Sequence, residues 1–109
     1  MITKFKIYEA INQGKPEVGD YVICDDILAE GPVKNFILNN IGKYITYNKN
    51  THYSYIIEYD NIPNDIIQKF KKNAFHGDNC KRMGIDEIKY WSKDKEELEE
   101  ILAENKYNL

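Results

Sequence analysis

Cys24, His52, His76 and Cys80 are the side chains of this sequence that could hold a soft metal. Zinc accepts two thiolates and two imidazoles in a tetrahedron. His76 and Cys80 are four residues apart, which suits ligation on one helical turn, while Cys24 and His52 must come from separate strands. Structural zinc sites normally carry a knuckle with ligands ~2–5 residues apart, such as Cys-x-x-Cys. Neither cysteine belongs to one, so the four read as two reduced core thiols and two surface imidazoles. No metal and no cofactor are expected. His76 and Cys80 could also pair as base and nucleophile, but that chemistry needs an oxyanion site as well. Asp25-Asp26 is a carboxylate pair. Neighbours on an extended strand point to opposite faces, so the pair reads as a strand-ending polar turn. The sequence holds no Walker loop, nucleophile elbow or dinucleotide fingerprint. No catalytic residue is assigned, and the chain is read as a non-enzyme.

Charge is unevenly spread. Residues 68–85 carry Lys69, Lys71, Lys72, Lys81 and Arg82 against Asp78, a net +4. Phe70 and Phe75 lie among these cations, and aromatic rings among cations can serve a phosphate backbone with stacked bases. This is the candidate nucleic-acid surface, although Phe70 also fits a core stripe with Ile66 and Ile67. Residues 86–109 are net -4, with Glu96, Glu97, Glu99, Glu100 and Glu104 clustered. That cluster could face a basic groove on a partner. It also suits a solvated face opposite Leu98, Ile101 and Leu102. Tyr47, Tyr53 and Tyr55, with Tyr44 and Tyr59, supply an aromatic surface divided between core and rim. The partner-binding candidates are therefore Glu96, Glu97, Glu99, Glu100, Tyr47, Tyr53 and Tyr55.

These groups need a frame. At 109 residues and 42% hydrophobic content the chain suits one domain with a real core. The formal net charge of -3 argues against a non-specific nucleic-acid binder, which is usually basic. No run approaches the ~18 apolar residues of a membrane span. The first residues show no apolar signal region, so a cytoplasmic location is expected. Ile, Lys, Asn and Tyr account for 51 of the 109 residues, and Lys outnumbers Arg 14 to 1. All four have A/T-rich codons, which points to an AT-rich bacterium, its phage or a virus. The Tyr count is therefore a weak functional signal.

Residues 3–9 alternate as a half-buried strand, with Phe5 and Ile7 on one side and Lys4 and Lys6 on the other. Residues 18–24 form a second strand. Gly31-Pro32 marks a loop. Residues 33–40 have helix spacing, and Asn40 and Gly42 supply a left-handed stop. Residues 43–47 and 53–59 make a hairpin. Asn64 or Asp65 caps a short helix that buries Ile66, Ile67 and Phe70. Residues 71–84 read as irregular. Residues 85–91 form the fifth strand, and Trp91 packs at its junction with the last helix. Ser92 caps that helix, residues 93–104, which docks through Leu98, Ile101 and Leu102.

Val18-Gly19-Asp20-Tyr21-Val22-Ile23 resembles the first strand of Src-homology-like small barrels of the KOW and Tudor type, in which a "VGDxV" segment leads into a long loop. Tyr59-Asp60-Asn61-Ile62-Pro63 resembles the turn that ends a later strand in those families. The match covers residues 18–63. The expected fold is mainly β with α additions: a single domain, 1–109, with a five-stranded SH3-like barrel over about 1–91, short inserted helices, and a C-terminal helix over about 92–104. The layout through residues 86–98 also resembles small accessory proteins of phages of AT-rich bacteria. That resemblance implies a non-catalytic protein-binding module, monomer or homodimer, such as a stoichiometric inhibitor of a host defence nuclease (anti-CRISPR-like). A nucleic-acid-binding barrel is the alternative, and a small zinc protein the third reading.

Overall fold

The computed structural model describes residues 14–27, 29–49, 53–72, 77 and 79–107, of which 71, 72 and 105–107 by backbone alone. The elements run β1 (Tyr21–Cys24), α1 (Gly31–Asn39), β2 (Gly42–Tyr47), β3 (Tyr55–Glu58), α2 (Asn64–Lys72), β4 (Cys80–Met83), a 3-10 turn (Ile85–Glu87), β5 (Ile88–Ser92) and α3 (Lys95–Tyr107). The five strands form one antiparallel sheet in the order β4-β3-β2-β1-β5. The protein is thus a mixed α/β fold. The ladder is open, since no pairing joins the edges β4 and β5, so among the described residues the sheet does not close into the expected SH3-like barrel. The expected strand at 3–9 lies outside the described residues.

The sheet cannot be flat. Only four residues separate Met83 from Ile88, although their strands are the two edges. Four inter-strand gaps of about 4.8 Å span roughly 19 Å. Five backbone steps reach about 18 Å only when fully extended, and this link contains a 3-10 turn that rises just ~2 Å per residue. The sheet must therefore curl until its edges approach.

Strand alternation divides the core. Val22, Cys24, Tyr44, Ile57, Tyr59, Met83 and Ile88 face inward, where Val33 and Ile37 of α1 and Ile66 and Phe70 of α2 pack on them. Ile23 faces outward, under Leu98 and Ile101 of α3, with Tyr21, Ile41, Tyr90 and Leu102 around them. Each fully buried aliphatic side chain contributes about 1.5–3 kcal/mol, so Leu98 and Ile101, with half-buried Leu102 beside them, dock a helix that exposes Glu96, Glu99 and Glu100. Trp91 joins the inner cluster as a partly buried ring.

Several local expectations are corrected. The strand expected over residues 18–24 starts at Tyr21, because Glu17 to Asp20 make a turn. The Asp20 N–H bonds the Glu17 carbonyl at 2.9 Å, and Gly19 sits at φ +99°. Gly31-Pro32 is the first turn of α1, where proline loses nothing because its N–H would be unpaired anyway. Asn40 is extended (φ -132°, ψ 151°), not left-handed, and its side-chain amide closes α1 by donating to the Phe36 carbonyl at 2.8 Å. Gly42 is a strand residue. A Cβ there would collide with Ile57 Cγ2 and stand 3.0 Å from the Tyr59 ring, so close packing requires the glycine.

Residues 80–83 are not irregular. They are β4, charged at its centre, and they form a strand because β3 offers a full edge to pair with. The fifth strand begins at Ile88, after the 3-10 turn. Asn64 and Asp65 are first-turn residues of α2, with the Pro63 carbonyl accepting from the N–H groups of Ile66 and Ile67. Ser92 ends β5, and Asp94 takes its expected place as cap. Asp94 Oδ1 accepts from the Glu96 N–H at 3.0 Å.

Candidate functional site

The hairpin β2–β3 gathers the tyrosines. Its register pairs Tyr44 with Ile57 but Thr46 with Ile56, so Ile45 is an extra residue. Tyr44 and Tyr47 are three apart and would otherwise face opposite ways. The bulge returns both to the inner face. There the Tyr44 and Tyr55 rings lie 5.1 Å apart, and Tyr47 and Tyr55 meet edge to face at 5.2 Å. Tyr44 is buried, Tyr55 is half-buried and Tyr47 is 50% exposed. The result is a graded stack, anchored in the core and ending in an open ring. Burial and the neighbouring phenols push Tyr44 and Tyr55 above the ordinary phenol range, so both stay neutral. Tyr53 is half-buried before β3.

The acidic candidates sit elsewhere. Glu96, Glu99 and Glu100 are exposed on α3, but Glu97 is half-buried and accepts from the Ser92 hydroxyl at 2.7 Å. α3 covers the outer face beside β1 and β5. The helix and the tyrosine stack therefore lie on opposite faces of the sheet, and they do not build one continuous surface.

The basic candidates are also dispersed. Lys69 is exposed on α2, and the side chains of Lys71 and Lys72 lie outside the described residues. Arg82 is half-buried on the outer face, paired across from Ile56. Lys81 points to the inner face. Its Nζ is 3.0 Å from Asp26 Oδ2 and 5.8 Å from the centre of the Phe70 ring. An ammonium held this way is committed to the fold.

The soft-ligand set does not assemble in what is described. Cys24 is on the inner face of β1, and Cys80 pairs with Glu58 on the outer face of β4. Their strands are separated by β2 and β3. His52 and His76 lie outside the described residues. Among the described residues no group of three His, Cys, Asp or Glu could hold a metal ion.

A second polar cluster, not legible in the sequence, surrounds the end of β1. Asp25 and Asp26 follow Cys24 there. Lys34 Nζ stands 3.2 Å from Asp25 Oδ1, and Lys81 pairs with Asp26. Glu87 is only 2% exposed. It uses both carboxylate oxygens on backbone donors, Gly84 at 2.9 Å and Ile27 at 3.0 Å. Burial pushes its carboxyl above the ordinary range, against those two hydrogen bonds. The Cys24 thiol, sealed from water, is pushed up to about 12, mainly by burial. It faces the Tyr59 hydroxyl, which makes no regular hydrogen bond among the described residues and is itself held well above its usual range by burial. A neutral thiol beside a neutral phenol is a packing pair, not a nucleophile. Sequence spacing could not reveal this cluster, because its members come from β1 and the loop after it, α1, β4, the 3-10 turn and the end of β3.

No protein-family model matches the chain, and neither a curated protein nor a solved structure matches it. Among the described residues no helix is long and apolar enough to cross a membrane.

Proposed function

We propose that this chain is a non-catalytic protein-binding module and that its contact surface is the tyrosine stack of the β2–β3 hairpin. The observation that carries this reading is Tyr47, half exposed and braced edge to face on Tyr55, which leans on buried Tyr44. A braced aromatic ring offers contact area at little entropic cost, and such rings dominate interface energetics. The acidic face of α3 is a separate surface, and its role beside the stack is open to the same test. The strand order and the short β4–β5 link support an SH3-like architecture, curled but open-edged. The AT-rich composition and the phage-like layout support a phage or mobile-element accessory protein in a host cytoplasm. In that setting the module blocks its target by stoichiometric occlusion, and a host defence nuclease is the target class (anti-CRISPR-like).

The test is capture by the tagged chain from lysate of an AT-rich bacterial host, with and without nuclease treatment. The expected result is a protein partner that survives nuclease and moderate salt, whose recovery falls at least tenfold with Tyr47→Ala. A Glu99→Lys/Glu100→Lys variant that also fails to capture it would add α3 to the surface. Recovery lost with nuclease or rising salt would replace the proposal with nucleic-acid binding. A partner indifferent to Tyr47→Ala would move the surface away from the hairpin.

A further inference from the structure

Glu87 joins two loops that are far apart in sequence. Its Oε1 accepts the Gly84 N–H of the β4–β5 link, and its Oε2 accepts the Ile27 N–H beyond β1. The apolar side chains of those two segments, Ile27 and Ile85, are 51% and 49% exposed. One carboxylate thus fixes how two open isoleucines are presented. A separate tie, the Asp25 N–H on the Glu87 carbonyl at 2.8 Å, belongs to the backbone and does not depend on the side chain.

We propose that Glu87 is a proton-operated clasp, which holds the Ile27 and Gly84 segments together when ionised and releases one of them when it takes a proton from solvent. The reason is hydrogen-bond inventory. An ionised carboxylate is acceptor-only on both oxygens, while a neutral carboxyl keeps one full acceptor and turns the other oxygen into a hydroxyl. The hydroxyl oxygen is a much poorer acceptor than a carboxylate oxygen, so two N–H donors aimed at two oxygens are both well satisfied in the ionised form, and protonation weakens one of the two bonds.

The surroundings set when this happens. Asp25 and Asp26 approach from the loop after β1, and Asp86 from the 3-10 turn itself. Lys34 of α1 and Lys81 of β4 are engaged with Asp25 and Asp26. Lys89 donates to the Asp86 carbonyl at 3.0 Å. Cys24 of β1 and Tyr59 after β3 are both neutral. Burial, with Asp26 and Asp86 beside it, raises Glu87 above an ordinary glutamate, so the clasp opens at milder acidity than a free side chain would titrate.

The test is an NMR titration of the intact chain from pH 7.5 to 4. It follows the Glu87 carboxyl carbon together with exchange protection at the Ile27, Gly84 and Asp25 amides, corrected for intrinsic exchange. The expected result is a tenfold or greater loss of protection at Ile27 or Gly84 in step with the Glu87 titration, with Asp25 still protected. Glu87→Gln should show that loss already at neutral pH, without pH dependence. Protection held at both amides through the titration would overturn the clasp. So would a loss that follows the Asp26 carboxyl, or one shared by all three amides. Should Glu87→Gln fail to fold, the wild-type titration alone decides.

Discussion

Lys81 on the edge strand β4 reaches across the inner face to Asp26 beyond the end of β1, with Nζ 3.0 Å from Oδ2. In strand order these residues belong to opposite halves of the sheet. Their pairing is a direct sign of the curl that the four-residue β4–β5 link demands. Both side chains are largely buried, at 14% and 10% exposed.

Breaking this pair should cost more than losing it. Lys81→Met leaves the Asp26 carboxylate buried without its cation, and such uncompensated charges cost about 3 kcal/mol or more. The double variant Lys81→Met/Asp26→Leu should recover much of that loss. Urea unfolding of both variants and of Asp26→Leu alone closes the cycle. Additive single losses would show that the pair is not coupled.

Gly42→Ala should destabilise the fold by about 1–3 kcal/mol, in the range of overpacked cores. The added methyl collides with Ile57 Cγ2 and meets the Tyr59 ring at 3.0 Å, and the backbone of β2 cannot retreat from its two neighbours. Thermal unfolding reads the effect directly. The companion change Ile57→Ala in the Gly42→Ala background should give back part of the loss by opening space.

Asp94, rather than Ser92, should behave as the cap of α3. Its carboxylate holds the Glu96 N–H, while Ser92 supports from below by accepting the Asp94 N–H at 3.0 Å. Asp94→Ala should cost about 1 kcal/mol, and Asp94→Asn or Asp94→Ser should restore most of it. Chemical denaturation of the three variants checks the order.

Alkaline pH should weaken the fold through Cys24. Folding raises this thiol from 9.0 to about 12, so the folded state holds its proton more tightly than the unfolded chain. Its contribution is full below pH 9 and is lost as pH rises through the folded value. Tyr59 shifts the same way and adds to the slope. The stability curve above pH 9 should therefore fall, and Cys24→Ser should flatten it. At pH 8 the native thiol should also resist alkylation until urea exposes it. Rapid labelling of Cys24 in the native protein would contradict its sealed environment.

Much of the frame was legible in the residues themselves. The β-branched and aromatic run Tyr21–Cys24, the hairpin and the stripes of α2 and α3 follow local rules of period and propensity. Ile66, Phe70, Leu98 and Ile101 are buried where their spacing put them. Tertiary pairing decided the rest. Cys80–Met83 carries two central cations and looks irregular, yet the open edge of β3 makes it a strand. The bulge at Ile45 put Tyr47 beside Tyr55, which strict alternation could not foresee. In the sequence Lys81 is one of five cations of the candidate nucleic-acid surface, and only the curl of the sheet brings Asp26 within its reach. The physical reason is range: periodicity and capping act over a few residues, whereas register, curl and buried charge pairing depend on which strand edges meet in space.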